Sequence, residues 1–350
     1  MTGTLRQNGG VQQRTARTTL RDGTEIAYAL VGDGPFLVYA PGWLTHLELS
    51  WAMPPERGFY EALARGRTLL RYDKPGCGLS GPAGRPHSME LELETLEAVT
   101  RAVGAERFDL LGISLGAPVA ASWAAANPGR VTRLVLYGGW VRGQQISSPE
   151  VQELVLGLVA THWGLGSDVL GDIFAPDADA ATRAAFTGYM REAASPETAR
   201  GMLALSYQAD VSDVLDRIQA PTLVIHRDRD RAAPLQQGRA LAEGIPGARF
   251  ELLPGRSHLP YVGDADALAR VIRRFLGLPS LRRRAVPTLT PRQREVAALV
   301  TEGLTNREIG SRLCITERSA ESHVERIRDR MGFRSRSQIA AWFVAGGWPG

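Results

Sequence analysis

Short apolar segments alternate with helical patterns along most of this 350-residue chain. Each apolar segment is closed by Gly, Pro or Asp, and its nearly continuous hydrophobicity is typical of strands buried on both faces. The segments are residues 35–40, 67–73, 107–113, 133–139, 221–227 and 248–254. Between several of them lie helical patterns, at residues 88–104, 115–126, 235–245 and 264–276. This alternation predicts an α/β fold with a mostly parallel sheet covered by helices.

Three further stretches complete the predicted organisation. Residues 18–31 are predicted to form a β-hairpin around the turn Arg21-Asp22-Gly23. Residues 140–215 carry no strand pattern and are predicted to form a helical cap over one end of the sheet. The segment GLPSLRRRAVPT is rich in Gly, Pro and Arg and is predicted to be a linker. The predicted domains are an α/β domain at 18–276, a linker at 277–288 and a small all-α domain at 289–350.

The C-terminal segment carries start and stop signals for four short helices. Thr290 and Thr305 open capping boxes, Thr316 caps a third helix, and Gly303 and Gly332 supply C-terminal stops. The predicted helices span residues 291–302, 306–313, 317–331 and 336–345. Only three residues separate the second helix from the longer third helix. A turn of that length indicates helix-turn-helix geometry.

The net charge of the chain is unevenly distributed. Residues 281–350 hold 13 Arg against 7 acidic residues, whereas the remainder holds 28 basic and 30 acidic residues. A basic segment behind a nearly neutral body suggests a polyanionic partner, for which nucleic acid is the usual choice. The alternative is a solvated basic surface.

The third C-terminal helix is two-sided. Ala320, Val324, Ile327 and Met331 fall on one face, where they are expected to pack on the domain core. The opposite face is suited to the major groove, since carboxylates accept from cytosine N4 and arginines reach guanine or phosphate. This face carries Arg318, Glu321, Ser322, Glu325, Arg326 and Asp329. The alternative is a four-helix interaction module whose polar face is only solvated.

The amino-acid sequence of residues 285–345 closely resembles that of the LuxR-type DNA-binding domain. The family's opening pattern appears as Leu289 to Val296, its scaffold-helix start as Asn306 to Ile309, and its recognition-helix signature as Ser319-Ala320-Glu321-Ser322-His323. The resemblance implies double-stranded DNA as partner and dimerisation through the fourth helix, around Gln338–Val344. The implied DNA-contacting positions are the base-facing Glu321, Ser322 and Glu325, with Asn306, Arg307, Thr316, Arg318 and Arg326 around them.

The α/β domain contains a candidate nucleophile. Gly112-Ile113-Ser114-Leu115-Gly116 follows a predicted strand and precedes a helical pattern, the context of a nucleophile elbow. A serine hydroxyl needs a base to take its proton, and the base needs an orienting acid. His258 follows the last predicted strand, and Asp228 and Asp230 follow the one before it. The order Ser, Asp, His is the order that this kind of site uses, so the sequence predicts a triad with two candidate acids.

Residues 18–276 resemble the α/β-hydrolase superfamily, notably in the loop Arg71 to Ser80. The resemblance favours Asp230 as the acid, because it keeps the family's spacing to Pro234. It also implies that the backbone N–H groups of Trp43 and Leu115 form the oxyanion hole. Pro41-Gly42-Trp43 replaces the frequent His-Gly, and Arg227 replaces a frequent Gly. In the cap, Trp140, Trp163, Tyr189 and Tyr207 are expected to be core residues rather than ligand contacts.

Several classes of protein are disfavoured by the composition. The opening stretch is polar and no apolar run is long enough for a bilayer, so a soluble, cytoplasmic protein without a membrane partner is expected. The two cysteines lie far apart, and no Cys/His cluster has zinc spacing. We therefore expect no disulfide, no metal and no cofactor.

Together these features predict a dimeric DNA-binding regulator whose hydrolase-like domain takes a small acyl or ester-like ligand as its signal. One alternative is a working serine esterase or lactonase whose helix-turn-helix domain controls its own expression. A third is a receptor with a vestigial triad.

Overall fold

The computed structural model describes residues 12–279, 289–331, 333 and 335–344. The chain separates into two compact units, residues 1–280 and 281–350. Most of the predicted linker, the stop at Gly332 and the end of the fourth C-terminal helix at 345 lie outside the described residues.

An eight-stranded sheet forms the centre of the first unit. In chain order its strands are β1 (Arg14–Thr19), β2 (Glu25–Val31), β3 (Phe36–Ala40), β4 (Thr68–Tyr72), β5 (Phe108–Ile113), β6 (Val131–Tyr137), β7 (Thr222–Arg227) and β8 (Arg249–Leu253). The spatial order is β1-β2-β4-β3-β5-β6-β7-β8. Strands β1 and β2 pair antiparallel with their neighbours, and the pairs from β4 to β8 are parallel. The prediction of a mostly parallel α/β sheet is confirmed.

Helices cover both faces of this sheet because its central strands are apolar on both. Successive side chains of a strand point to opposite faces, so Leu110 belongs to one buried cluster and Leu111 to the other. Every residue of β5 and β7 is buried. The flanking helices are α1 (Leu47–Ala52), α2 (Pro54–Ala64), α3 (Met89–Ala102), α4 (Gly116–Ala126), α9 (Leu235–Gly244) and α10 (Ala265–Phe275). We did not predict α1 and α2, although Pro54 at the first position of α2 is a helix-start signal.

The cap is helical, as predicted for residues 140–215. Its helices are α5 (Pro149–Thr161), α6 (Trp163–Phe174), α7 (Ala180–Ala193) and α8 (Pro196–Gln208). Their apolar faces form a cluster that includes Trp43 from the loop after β3. The Trp43 indole N–H donates to the Ala199 carbonyl at 2.9 Å. The cap is therefore packed directly on the loop that borders the predicted oxyanion hole.

Two boundaries of the first unit differ from the prediction. Strand β1 begins at Arg14 rather than near residue 18, because its exposed edge position requires no apolar pattern. Residues 277–279, assigned to the linker, pack on the sheet domain: Leu278 joins its core, and Arg273 donates to the Pro279 carbonyl at 2.9 Å. Residues 277–279 therefore belong to the first unit rather than to the linker.

The second unit consists of four helices in its described part: α11 (Pro291–Thr301), α12 (Asn306–Leu313), α13 (Glu317–Met331) and α14 (Arg336–Val344). Both capping boxes, at Thr290 and Thr305, are present. Cys314 ends α12 with a left-handed φ of 54°, which turns the chain into α13. Ala320, Val324 and Ile327 are buried in the core, as predicted.

A fully buried ion pair fixes the loop after β4. Lys74 Nζ lies 2.7 Å from Glu92 Oε2 on α3, and the two side chains are 0% and 2% exposed. Replacing one member of such a pair leaves an uncompensated charge in a medium that solvates it poorly.

We therefore expect Lys74→Met to lower the free energy of unfolding of the first unit by about 3–5 kcal/mol. Because the double variant Lys74→Met/Glu92→Leu removes both charges, it should lose much less. Urea unfolding of the full-length protein, followed by tryptophan fluorescence, measures both. Equal losses in the single and double variants would show that the charge of Glu92 is not the cause.

Candidate functional site

Ser114 lies on a strained turn between β5 and α4. Its φ is 55°, in the left-handed region that non-glycine residues rarely adopt, and such a conformation costs of order 1–3 kcal/mol. The neighbouring glycines are required by close backbone approach. A Cβ added to Gly112 would lie 2.4 Å from the Gly116 carbonyl oxygen, and one added to Gly116 would lie 2.1 Å from that of Ala40. The local sequence thus holds Ser114 at the end of the sheet.

His258 and Asp230 are brought together from two different loops. His258 Nδ1 lies 2.8 Å from Asp230 Oδ2, and both side chains are almost completely buried. The backbone N–H groups of Ala232 and Ala233 donate to Asp230 Oδ1 at 2.9 and 3.1 Å. Burial raises the pKa of Asp230, but the charge and hydrogen bond of His258 outweigh it, so the pKa lies below its usual value. An ionised Asp230 can hold a proton on His258 Nδ1, which leaves Nε2 free to act as a base.

Asp228, the other candidate acid, serves a different contact. Its Oδ1 accepts from the Gly255 N–H at 2.8 Å and lies 3.6 Å from Arg229 Nε. This bond ties the loop after β7 to the loop after β8. The geometry therefore places Asp230, rather than Asp228, beside His258.

Arg227 holds the loop that carries His258 through a hydrogen bond. It is buried at the end of β7, and its Nη1 donates to the Ser257 carbonyl at 2.7 Å. No role for Arg227 was predicted from the sequence, where it replaces a frequent glycine. In the structure it fixes the residue next to His258.

The loop after β3 lies against the nucleophile elbow. A Cβ on Gly42 would lie 3.3 Å from the Ser114 Cβ. Leu115 occupies the N-cap position of α4, where helix N–H groups favour negative charge. Trp43, which follows Gly42, lines both cavities at Ser114, and the oxyanion hole formed by the backbone N–H groups of Trp43 and Leu115 stays a prediction.

Two cavities meet at Ser114. They have volumes of about 80 and 160 Å³, and both are lined by Trp43, Ser114, Phe174 and His258. Tyr39, Glu56, Tyr189 and Tyr261 belong to the smaller one. Apolar cap residues dominate the larger one, including Ile146, Val155, Leu170, Ile173 and Leu203. A ligand that reaches Ser114 can therefore extend in two directions.

The cap aromatics were expected to be core residues rather than ligand contacts. Trp140 and Tyr189 are buried, as core residues are. Tyr189 nevertheless lines the smaller cavity, and Trp140 and Tyr207 line the larger one. Trp163 packs edge-on against Trp43, with ring centroids 5.9 Å apart. For three of the four residues the expectation was incomplete, because the cap core is also the cavity wall.

Glu56, a buried carboxyl of α2, lines the smaller cavity but was not predicted from the sequence. Burial raises its pKa to about 7, against the opposing effects of the Tyr60 hydrogen bond, the Arg71 charge and the Tyr261 hydrogen bond. The available signal was a lone acidic residue on the apolar face that carries Phe59, Tyr60 and Leu63.

The predicted DNA-contacting residues divide into two groups in the second unit. Those with exposed side chains are Arg307, Thr316, Arg318, Glu321, Glu325 and Arg326, and Ser322 is partly exposed. Asn306 differs, since its Oδ1 accepts from Arg336 Nη1 at 2.7 Å and so joins α12 to α14. Thr316 also caps α13 by accepting from the Ser319 N–H at 3.2 Å.

The described residues also bear on disulfide bonds, metal ions and membranes as possible features of the protein. Both cysteines are free thiols. Within the described ranges, no group of three or more His, Cys, Asp or Glu side chains is placed to hold a metal ion. No described helix is long and apolar enough to cross a membrane.

Comparison with known families agrees with this geometry. Residues 35–265 match the family model of the alpha/beta hydrolase fold. The chain belongs to the α/β-hydrolase family. Residues 287–343 match the model of bacterial regulatory proteins of the luxR family. This α/β hydrolase is therefore fused to a LuxR-type helix-turn-helix domain, and both predicted resemblances are confirmed.

Individual relatives match the hydrolase part. A pyrrolizixenacetamide deacetylase from Xenorhabdus hominickii is 29% identical over 261 residues, which cover 72% of this chain and 94% of the relative. A 2-hydroxy-6-oxononadienedioate/2-hydroxy-6-oxononatrienedioate hydrolase from Cupriavidus pinatubonensis is 31% identical over 265 residues, covering 73% and 88%. The crystal structure of a hydrolase from Pseudomonas aeruginosa PA01 superposes with a TM-score of 0.66 at 26% identity, covering 75% and 98%.

The contacts of the two aspartates lead to a paired prediction. Asp230→Asn should slow labelling of Ser114 by a fluorophosphonate by about 10³–10⁴-fold, because an amide no longer holds the reactive tautomer of His258. Asp228→Asn is the matched control, since an asparagine Oδ1 can still accept from Gly255. Rates follow from intact-mass spectrometry. A slow Asp228→Asn and an unaffected Asp230→Asn would reverse the assignment of the acid.

Proposed function

We propose that this α/β hydrolase is a transcription regulator that takes a small acyl or ester-like ligand into the Ser114 pocket and changes its hold on DNA. The observation that carries the proposal is the juxtaposition of Ser114, the hydrogen-bonded pair His258–Asp230 and two cavities, on the same chain as a LuxR-type domain. The deacetylase and hydrolase relatives support a ligand of acyl type.

In this proposal, Ser114 is the nucleophile, His258 the general base and Asp230 the group that orients it. The backbone N–H groups of Trp43 and Leu115 stabilise the developing oxyanion. The ligand carbonyl lies at Ser114, and its two substituents occupy the two cavities. Neither a metal nor a cofactor has a part in this chemistry.

The second unit reads DNA through α13. The exposed carboxylates of Glu321 and Glu325 accept from base edges, as cytosine N4 can donate. Arg307, Arg318 and Arg326 contact phosphates and give affinity without sequence preference. Two copies dimerise through α14 and so bind paired half-sites. The protein acts in the cytoplasm, where its DNA is.

A second candidate function is supported by the bond between His258 and Asp230. A receptor needs no base oriented behind its serine, whereas a working esterase or lactonase does. In that case the helix-turn-helix domain controls expression of the enzyme itself. Turnover of p-nitrophenyl acetate that is lost in Ser114→Ala supports this alternative, and stoichiometric labelling without turnover supports the receptor.

The DNA-reading proposal predicts two kinds of variant in the full-length protein. Glu321→Ala or Glu325→Ala should change the preferred bases in a sequence-selection experiment, with a cost of about 1–3 kcal/mol on the original site. Arg307→Ala or Arg326→Ala should weaken binding to all sequences and reduce its salt dependence. Glu302→Ala, an exposed carboxylate at the end of α11, is the control. An unchanged motif in both glutamate variants would contradict the proposed base-facing side.

A further inference from the structure

Glu56 is a buried carboxyl with one oxygen poorly satisfied. The side chain is on α2, and the residue is only 5% exposed. Oε1 accepts from the Tyr60 hydroxyl at 2.5 Å. Oε2 is buried and makes no hydrogen bond of normal length and angle to the described residues, although the Tyr261 hydroxyl acts on the carboxyl as a weaker hydrogen-bond donor. Leaving such an acceptor poorly satisfied costs about 1–3 kcal/mol, and more when it is charged, so Oε2 is able to accept from a further donor.

Neighbouring side chains do not neutralise Glu56. Arg71, from β4, lies over the Tyr60 ring at 3.8 Å. Its guanidinium donates to Ser50 Oγ at 3.1 Å and to the Leu47 carbonyl at 3.3 Å, rather than to Glu56. The other groups near Glu56 are phenols, whose pKa values are raised by burial first and by the charge of Glu56 second: Tyr39 from β3, Tyr60 from α2, Tyr189 from α7 and Tyr261 from the loop after His258.

Glu56 shares a cavity with the reacting groups. The smaller cavity is lined by Glu56, Tyr39 and Tyr261 as well as by Ser114 and His258. Its volume of about 80 Å³ is several times the roughly 15 Å³ that a cavity needs to hold one water, so a small group fits. A short substituent on a ligand carbonyl at Ser114 therefore enters a cavity that has a poorly satisfied carboxyl oxygen in its wall.

We propose that the smaller cavity is a polar subsite in which Glu56 Oε2 binds a hydrogen-bond donor, a hydroxyl or an amide N–H, on a short ligand substituent. The inference rests on the proposed function and adds the ligand class. A donor gives Oε2 a hydrogen bond of normal geometry. A methyl end leaves Oε2 poorly satisfied, and a carboxylate end meets a second negative charge once Glu56 ionises.

The protonation state of Glu56 makes the selection among ligand end groups depend on pH. Burial raises its pKa to about 7, so the group is mainly neutral at pH 6 and mainly ionised at pH 8. Repulsion of a carboxylate-ended ligand should therefore grow between these two values. The phenols named above stay neutral and Arg71 stays charged throughout this range, so they add no titration of their own.

Three p-nitrophenyl alkylphosphonates of equal chain length, ending in a methyl, a primary amide or a carboxylate, test the proposal on the full-length protein. Ser114 Oγ attacks phosphorus, its proton passes to His258, and p-nitrophenolate leaves. Nitrophenolate release and the mass of the Ser114 adduct give the rate for each probe. In the wild-type protein at pH 8 we expect the amide probe to react about tenfold faster than the methyl probe, and the carboxylate probe about tenfold slower, which is about 1.4 kcal/mol each way.

The variants separate selection from a general structural effect. Glu56→Leu should reverse the order of the amide and methyl probes. Glu56→Gln should remove the loss of carboxylate reactivity between pH 6 and pH 8. Glu61→Gln, on the same helix but paired with Arg57, should change nothing. A purely structural role for Glu56 would scale all three probe rates together.

Failure of the subsite proposal can be distinguished from failure of the proposed function. Equal rates for the three probes in the wild-type protein, with the adduct on Ser114, would overturn the subsite and leave the proposed nucleophile standing. No adduct with any probe in folded protein would overturn the proposed function itself, and the subsite with it.

Discussion

The close backbone contact between β3, β5 and α4 is the constraint on which the hydrolase site depends. Gly112 and Gly116 let the strand end and the helix start approach to distances that exclude any Cβ. That approach holds Ser114 in a left-handed conformation and sets the loop at Gly42 against it. Trp43 then anchors the cap, because its indole N–H donates a hydrogen bond to the Ala199 carbonyl of α8.

Much of the candidate site could be predicted from the sequence, because parallel strands end at one edge of a sheet. Ser114, Asp230 and His258 each follow a strand, so their proximity was expected. Glu56 lies on the apolar face of α2 with Phe59, Tyr60 and Leu63, but the helical pattern does not show that this face lines a cavity. That depends on tertiary packing, such as the contact of Tyr60 with Tyr39 of β3. The double cavity likewise depends on the cap, whose helices carry no signal of where they dock.

The described helix boundaries of the helix-turn-helix unit could be predicted almost to the residue, because the capping signals that set them are local in sequence. Capping boxes at Thr290 and Thr305 set the helix starts, and the apolar face of α13 sets its burial. Asn306 is the exception, because its bond to Arg336 joins residues thirty positions apart. Local signals therefore sufficed for the helices, whereas the roles of individual polar side chains needed the tertiary contacts.

We propose that occupancy of the Ser114 pocket and DNA binding are coupled. A ligand can act on DNA affinity only if it favours one of two states of the protein, and the coupling is then reciprocal. The direct measurement is titration of operator DNA against full-length protein with and without a phosphonate fixed on Ser114. A coupling of about 1–3 kcal/mol predicts a change in Kd of about 5–150-fold. An identical Kd for the free and the Ser114-modified protein would contradict the account.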